Sequence, residues 1–155
     1  MAEDGAPGVV VVGVASGHFA MVEHWRPAAG RTFLEFPRGF GTPGGSDSAD
    51  RAAITDARRE LREETGLQGT QFQVLGRVWA DSSLLQGHAT VVGAALDRSA
   101  SAAAHDTEID ALHWVPVHQV PSLMEAGVIA DGLTLSAYAL WSARRQPRED
   151  ERALR

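Results

Sequence analysis

Apolar and polar positions along this chain form short strand-like runs, broken by two longer stretches with helical spacing. Val9 to Ala15 is a β-branched run, Ser16-Gly17 has turn chemistry, and His18 to Glu23 is a second short apolar run, so the pattern predicts a hairpin. After Arg26-Pro27 and a break at Gly30, Thr32 to Phe36 predicts a third strand closed by Pro37, and the glycines and proline of RGFGTPGGSDS predict a loop. Ala49 to Thr65 predicts a helix, with Ser46, Asp47 or Ser48 as N-cap and Gly66 where a left-handed C-cap falls. Gln71 to Trp79 and Ala89 to Leu96 predict strands joined by DSSLLQGH, and SASAAAHDTE predicts a loop before a strand at Ala111 to Val115. Pro121 opens a short helix ending at Gly127. Leu133 to Arg145 predicts another, with Leu133, Ala137, Leu140 and Trp141 on one stripe. The tail RQPREDERALR is highly charged and is expected to fray, and no internal repeat is present.

Composition narrows the chemistry. A chain of 155 residues, 44% hydrophobic, is the size of one domain with a sizeable core. It has no cysteine, which excludes a disulfide scaffold, a zinc–thiolate centre and a cysteine nucleophile and suits a reducing compartment. The N-terminal MAEDGAPG is acidic rather than basic and then apolar, and no apolar run approaches the roughly 20 residues of a membrane span, so a cytoplasmic protein without a membrane partner is expected. A net charge of −6 argues against stable nucleic-acid binding, but not against a small phosphorylated ligand whose charge a bound cation offsets.

The helical stretch RRELREETGL raises the question of what its charges do. Positions three and four apart share a face, so Glu60, Glu63 and Glu64 converge on one side while Ile54, Ala57, Leu61 and Thr65 lie on or near the other. Like charges at this spacing cost a few tenths of a kcal/mol per pair, about 0.2–0.5, and acidic residues near a helix C-terminus meet the negative end of the dipole. Taken alone, the cluster fits a surface lattice neutralised by Arg58, Arg59 and Arg62 better than a functional site.

Its surroundings change that reading. A strand and a Gly-rich loop lead into the helix, and Arg59-Glu60-Leu61-Arg62-Glu63-Glu64-Thr65-Gly66-Leu67 resembles the second half of the signature of the Nudix hydrolases, with Glu35-Phe36-Pro37-Arg38-Gly39 similar to the lead-in. The first half departs from that signature. Counting back from Arg59 puts Arg51 where the family has its first glutamate, and Gly45 where it has its glycine. Taking Gly39 instead, the alignment we favour, leaves six extra residues, with Asp47 or Asp50 near the place of that glutamate. The resemblance implies an α+β Nudix fold, a mixed sheet sandwiched between helices in α/β/α layers, over about Val9 to Trp141.

The resemblance also implies a reaction and its residues. Nudix enzymes cleave a diphosphate linked to another moiety by attack of water on phosphorus, with Mg²⁺ or Mn²⁺ held by oxygen ligands. The expected ligands are Glu60, Glu64 and the backbone carbonyl of Arg38, with Glu63 shared with a second ion or ordering its waters. Arg59 is expected to hold the glutamates in position. The base is open between Glu63 and the late-loop residues His105, Asp106 and Glu108. His18, His24, His88, His113 and His118 show no ligand spacing. The segment EHWRPAAGRTFLEFPRG is similar to the ADP-ribose and nucleotide-sugar branch, which implies Trp25 stacking on a base, Arg26 meeting a phosphate, and Arg38 beside the substrate, with DSSLLQGH as another wall. The implied partner is a small nucleoside diphosphate derivative. Relatives dimerise by exchanging N-terminal strands, and a homodimer stays open here, although this chain begins almost at its first strand. Two alternatives to the favoured hydrolase are a nucleoside triphosphate pyrophosphohydrolase and, given Arg51 and the longer loop, a non-catalytic nucleotide-binding domain.

Overall fold

The computed structural model describes residues 7–42, 48–99 and 109–145. Its elements are β1 (Gly8–Ala15), β2 (His18–Arg26), β3 (Arg31–Glu35), β4 (Arg38–Gly39), α1 (Ala49–Thr65), β5 (Gly69–Val78), β6 (Ala89–Leu96) and β7 (Ile109–Pro116), then a 3₁₀ turn at Val117–Gln119, α2 (Val120–Glu125) and α3 (Gly132–Arg145). The strands form one sheet in the order β3-β2-β1-β6-β5, with β4 paired to β1 and β7 to β2. Among the described residues only the β1–β6 pairing is parallel, so the sheet is mixed.

The unbroken valine run of β1 has a simple cause: both faces of the strand are covered. Val10 and Val12 enter a core with Phe19, Met21, Phe36 and Ala137, against α2 and α3. Val9 and Val11 enter the other, with Ala53, Ala57 and Leu61 of α1. Helices therefore lie on both sides of the sheet, as the resemblance implied. Phe19 anchors the α3 side, meeting Phe36 and Trp141 edge-on at 5.2 and 4.7 Å.

The register of β1 creates an opening. It pairs with β2 only at the hairpin end, Val14 with Phe19 and Ala15 with His18. At the other end its neighbour is β4, with Val9 opposite Gly39 and Val10 opposite Arg38, while β2 is paired with β3 and β7. The divergence of β2 from β1 thus admits the start of the Gly-rich loop into the sheet.

Several boundaries differ from expectation for reasons of pairing. β2 runs on to Arg26 because β3 and β7 flank it, and β4 exists only through its bridge to β1. β5 and β7 each begin two residues earlier than their composition suggests, at Gly69 and Ile109. Helix α1 matches its predicted span: Ser48 Oγ accepts from the Arg51 N–H at 3.3 Å, and Gly66 closes the helix at φ 68°.

Candidate active site

The site is built where the last turns of α1 meet the loop leaving β3. Glu60 and Glu64, one turn apart, are 7% and 8% exposed, whereas the Glu63 side chain is 50% exposed. The Arg38 N–H donates to Glu64 Oε2 at 3.0 Å. Gly39 lies so close to Glu60 that a Cβ there would fall on the carboxyl group. That close approach identifies Gly39, rather than Gly45, as the glycine the helix requires. Both glutamates open onto a cavity of about 450 Å³ whose wall also includes His24, Arg26, Arg38 and Phe40.

The arginines of this wall are already engaged. Arg26 donates from Nε to Glu35 Oε1 at 3.1 Å, Arg38 donates from Nε to Glu35 Oε2 at 3.0 Å, and Arg38 also meets Asp131 at 3.3 Å. Glu35 itself is 1% exposed, a buried carboxylate satisfied by two guanidinium groups. Arg59 reaches Glu60 at 2.7 Å, Glu63 at 3.0 Å and the Phe40 carbonyl at 2.8 Å. Burial works against its charge, but Glu60 and Glu63 more than offset this and raise its pKa above the ordinary value. Arg58 lies over the Phe72 ring, so of the three arginines expected to neutralise the acidic face only Arg59 does so among the described residues.

Burial pushes Glu64 up to about 8; the Arg38 N–H opposes this and the Glu60 charge adds to it. Burial also raises Glu60, against the pull of Arg59. Among the described residues no group of three or more histidine, aspartate or glutamate side chains is arranged to hold a metal ion. Glu60 and Glu64 instead present hard oxygen donors on one side of an open cavity. Such a partial shell fits a cation that keeps waters and shares oxygens with a phosphate.

The structure brings together Arg26, Arg38, Arg59, Glu60, Glu63 and Glu64 on this cavity. It does not bring Trp25, which alternates with His24 and Arg26 along β2 and is 50% exposed. Asp50 is engaged by Arg77 at 2.6 Å and does not line the cavity; Arg51 lies exposed in the first turn of α1. His105, Asp106, Glu108, Gly45 and Asp47 lie outside the described residues. Three participants were not expected. Phe40 stands 73% exposed at the cavity, His24 is 8% exposed on its wall, and Asp56 is 6% exposed one turn before Glu60. The alternation of β2 signals His24 once Arg26 is placed, and the four-residue step back from Glu60 signals Asp56.

The NUDIX domain model matches residues 5–135. The chain belongs to the NUDIX family. Over 143 residues it is 29% identical to the ADP-ribose pyrophosphatase of Mycobacterium tuberculosis (strain ATCC 25618 / H37Rv), a match covering 86% of this chain and 65% of that relative, so the chain spans about two thirds of its relative's length. A crystal structure of an ADP compounds hydrolase superposes with a TM-score of 0.75 at 19% identity, covering 92% of this chain and 74% of that one. A NUDIX hydrolase from Nitrosomonas europaea superposes with a TM-score of 0.70 at 19% identity, covering 94% and 93%. At that identity the two structures bear on the fold, which is the expected one. Among the described residues no helix is long and apolar enough to cross a membrane.

Proposed function

We propose that this NUDIX domain hydrolyses the diphosphate linkage of a nucleoside diphosphate derivative, ADP-ribose or a nucleotide sugar, with a divalent cation of the Mg²⁺ or Mn²⁺ type. The observation that carries the reading is the pair of buried carboxylates, Glu60 and Glu64, on one cavity wall, the second so poorly compensated that it is pushed up to about 8. A small hard cation that displaces the proton from such a group supplies the charge compensation its burial withholds. Glu60, Glu64 and the Arg38 carbonyl are the proposed ligands, with Glu63 at the exposed edge for a second ion or its waters.

A bound cation supplies charge neutralisation on the phosphate oxygens. The protein's own groups do the rest. Arg59 fixes Glu60, Glu63 and the Phe40 carbonyl. Arg26 and Arg38, held in place by Glu35, present their remaining N–H donors along the wall as contacts for diphosphate oxygens. Phe40 is the exposed aromatic on the cavity and is better placed than Trp25 to stack on a base. Water attacks one phosphorus, the bridging P–O bond breaks, and two phosphomonoesters leave. The water's proton goes to Glu63 or to a residue of the stretch preceding β7 in sequence, where His105, Asp106 and Glu108 are the candidates. The branch assignment is supported by the likeness to the mycobacterial relative.

The test is a substrate panel with Mg²⁺ and Mn²⁺ on the wild type and Glu64→Gln. Turnover of ADP-ribose or a nucleotide sugar, lost in the variant, supports the proposal. Pyrophosphate release from nucleoside triphosphates would favour the triphosphate alternative, and nucleotide binding without metal-dependent turnover would favour the binding domain. Glu63→Gln, His105→Ala, Asp106→Asn and Glu108→Gln, each assayed over pH, locate the base.

A further inference from the structure

The loop from Arg38 to Thr42 touches α1 at successive rungs. Arg38 meets Glu64, Gly39 lies on Glu60, and Thr42 meets Asp56. Those helix positions are four residues apart, about 6 Å of rise per rung on a single face, so the loop climbs the helix towards its N-terminus. Asp56 makes the last rung with both carboxylate oxygens: Oδ2 accepts from the Thr42 N–H at 3.1 Å and Oδ1 from the Thr42 hydroxyl at 2.8 Å. Arg59 approaches the same carboxylate at 3.5 Å while donating to the Phe40 carbonyl at 2.8 Å. Neither Asp56 nor Thr42 lines the cavity.

The position of this rung matters because of the loop's length. The extra residues relative to the family signature fall between Gly39 and α1, where a longer connection would otherwise let the Arg38–Phe40 segment shift. The buried carboxylate of Asp56 ties that connection down at Thr42, three residues after Gly39, while Arg51 occupies the position where the signature has a glutamate.

Resting on the metal-dependent reading above, we propose that Asp56 is a positioning residue: its double hydrogen bond to Thr42 clamps the Arg38–Thr42 loop onto α1, so that the Arg38 carbonyl, Glu60 and Glu64 form one cation site despite the lengthened loop and the missing glutamate. Asp56 acts through the loop and touches neither cation nor substrate.

The test compares wild type, Asp56→Asn, Thr42→Ala and the double variant by amide hydrogen exchange in EDTA and by Mn²⁺ titration. Asp56→Asn keeps one acceptor for the Thr42 N–H but loses the charge and turns the acceptor of the Thr42 hydroxyl into a donor. In this variant, exchange at Phe40 to Thr42 is expected to speed up and Mn²⁺ affinity to fall about tenfold, the loss typical of a disturbed supporting shell. Thr42→Ala, which deletes one hydrogen bond at an exposed residue, is expected to weaken Mn²⁺ binding about two- to fivefold. The double variant should be no worse than Asp56→Asn, because both changes break one clamp. At subsaturating Mn²⁺, kcat should fall and KM for the nucleotide should rise, because Arg38 and Phe40 ride on the clamped loop. Saturating Mn²⁺ should restore most of the kcat but not the KM, a split that general destabilisation does not give. Unchanged loop exchange and Mn²⁺ affinity in a folded Asp56→Asn, or fully additive losses, would overturn the clamp. If Asp56→Asn does not fold, Thr42→Ala decides, and wild-type exchange and affinity there overturn the proposal equally. Exchange and titration need no turnover. A wild type that binds Mn²⁺ but hydrolyses nothing therefore removes the hydrolase reading and leaves the clamp, while an active wild type with an unaffected Asp56→Asn removes the clamp alone.

Discussion

Replacing Glu64 with glutamine should stabilise the metal-free protein and abolish its cation affinity, two effects of opposite sign from one carboxylate. Glu64 is pushed from an ordinary 4.5 to about 8, chiefly by burial. A carboxyl group whose pKa is higher in the folded state favours folding only while it is protonated there. Its contribution is full below the unfolded value of about 4.5 and is lost as pH rises through about 8. At 1.36 kcal/mol per pH unit, ionising Glu64 in its buried position costs about 5 kcal/mol across that window. Glutamine keeps the shape and can still accept from the Arg38 N–H, but carries no charge to desolvate. It should recover about 2–4 kcal/mol above pH 8, allowing for its own imperfectly paired amide. For a domain of this length that corresponds to a Tm on the order of 5–10 °C higher. The assay is thermal and urea unfolding in EDTA from about pH 5 to 9, with the advantage of the variant growing with pH. Adding Mn²⁺ to about a hundred times its Kd should raise wild-type stability by about 2.7 kcal/mol and leave the variant unmoved. A variant no more stable than wild type near pH 8 in EDTA would refute the reasoning, since Glu64 would then be satisfied by the protein alone.

Three further outcomes follow from the geometry. Gly39→Ala drives a Cβ into the Glu60 carboxyl group and should cost about 1–3 kcal/mol of stability together with most of the Mn²⁺ affinity; wild-type titration curves would show that the close approach is not needed. Glu35→Ala strips the shared carboxylate from Arg26 and Arg38, which are only partly exposed. It should cost about 2–3 kcal/mol in chemical denaturation, below the roughly 3–5 of a fully buried pair. Ser48→Ala removes the cap of α1 at the end remote from Glu64 and should lower stability by about 1 kcal/mol with kcat unchanged, so a fall in kcat at a temperature where the protein stays folded would contradict that separation.

The legible parts of this chain are those whose signals are local. Helix α1 carries its cap residues, its periodic Ala57 and Leu61 and its closing Gly66 within one window, and its limits could be read to the residue. The glutamates were legible for the same reason, since a spacing of four residues fixes a shared face whatever packs against it. Strand ends were not, because partners set them: β4 is only two residues long and exists through Val9 and Val10, which lie some thirty positions earlier. The cavity wall was read through the segment His24 to Arg26, but without the alternation that turns His24 and Arg26 inward and Trp25 outward. Asp56 is less legible because it lies one turn before the run of glutamates, outside the part of the helix that ends at the glycine. Its neighbour Thr42 belongs to a Gly- and Pro-rich stretch that composition presents only as loop.

The charge arrangement bears on the choice between a hydrolase and a domain that simply binds a nucleotide. Among the described residues, six carboxylates, of Glu35, Asp56, Glu60, Glu63, Glu64 and Asp131, stand against three guanidinium groups, of Arg26, Arg38 and Arg59, in and immediately behind the cavity wall, leaving three formal negative charges. Protonation of Glu64 near neutrality would remove one of them. A cavity that bound a diphosphate by direct contact would hold guanidinium groups free of carboxylate partners. Here each one is engaged: Arg26 by Glu35, Arg38 by Glu35 and Asp131, Arg59 by its helix neighbours. Their remaining N–H groups can orient an anion but cannot offset both it and the glutamates. On the proposed reading an anionic ligand is expected to bind only in company with cations, so binding of a nucleoside diphosphate should collapse in EDTA and recover with Mg²⁺ or Mn²⁺. Tight metal-free binding would overturn this account of the cavity and favour the domain that binds without catalysis.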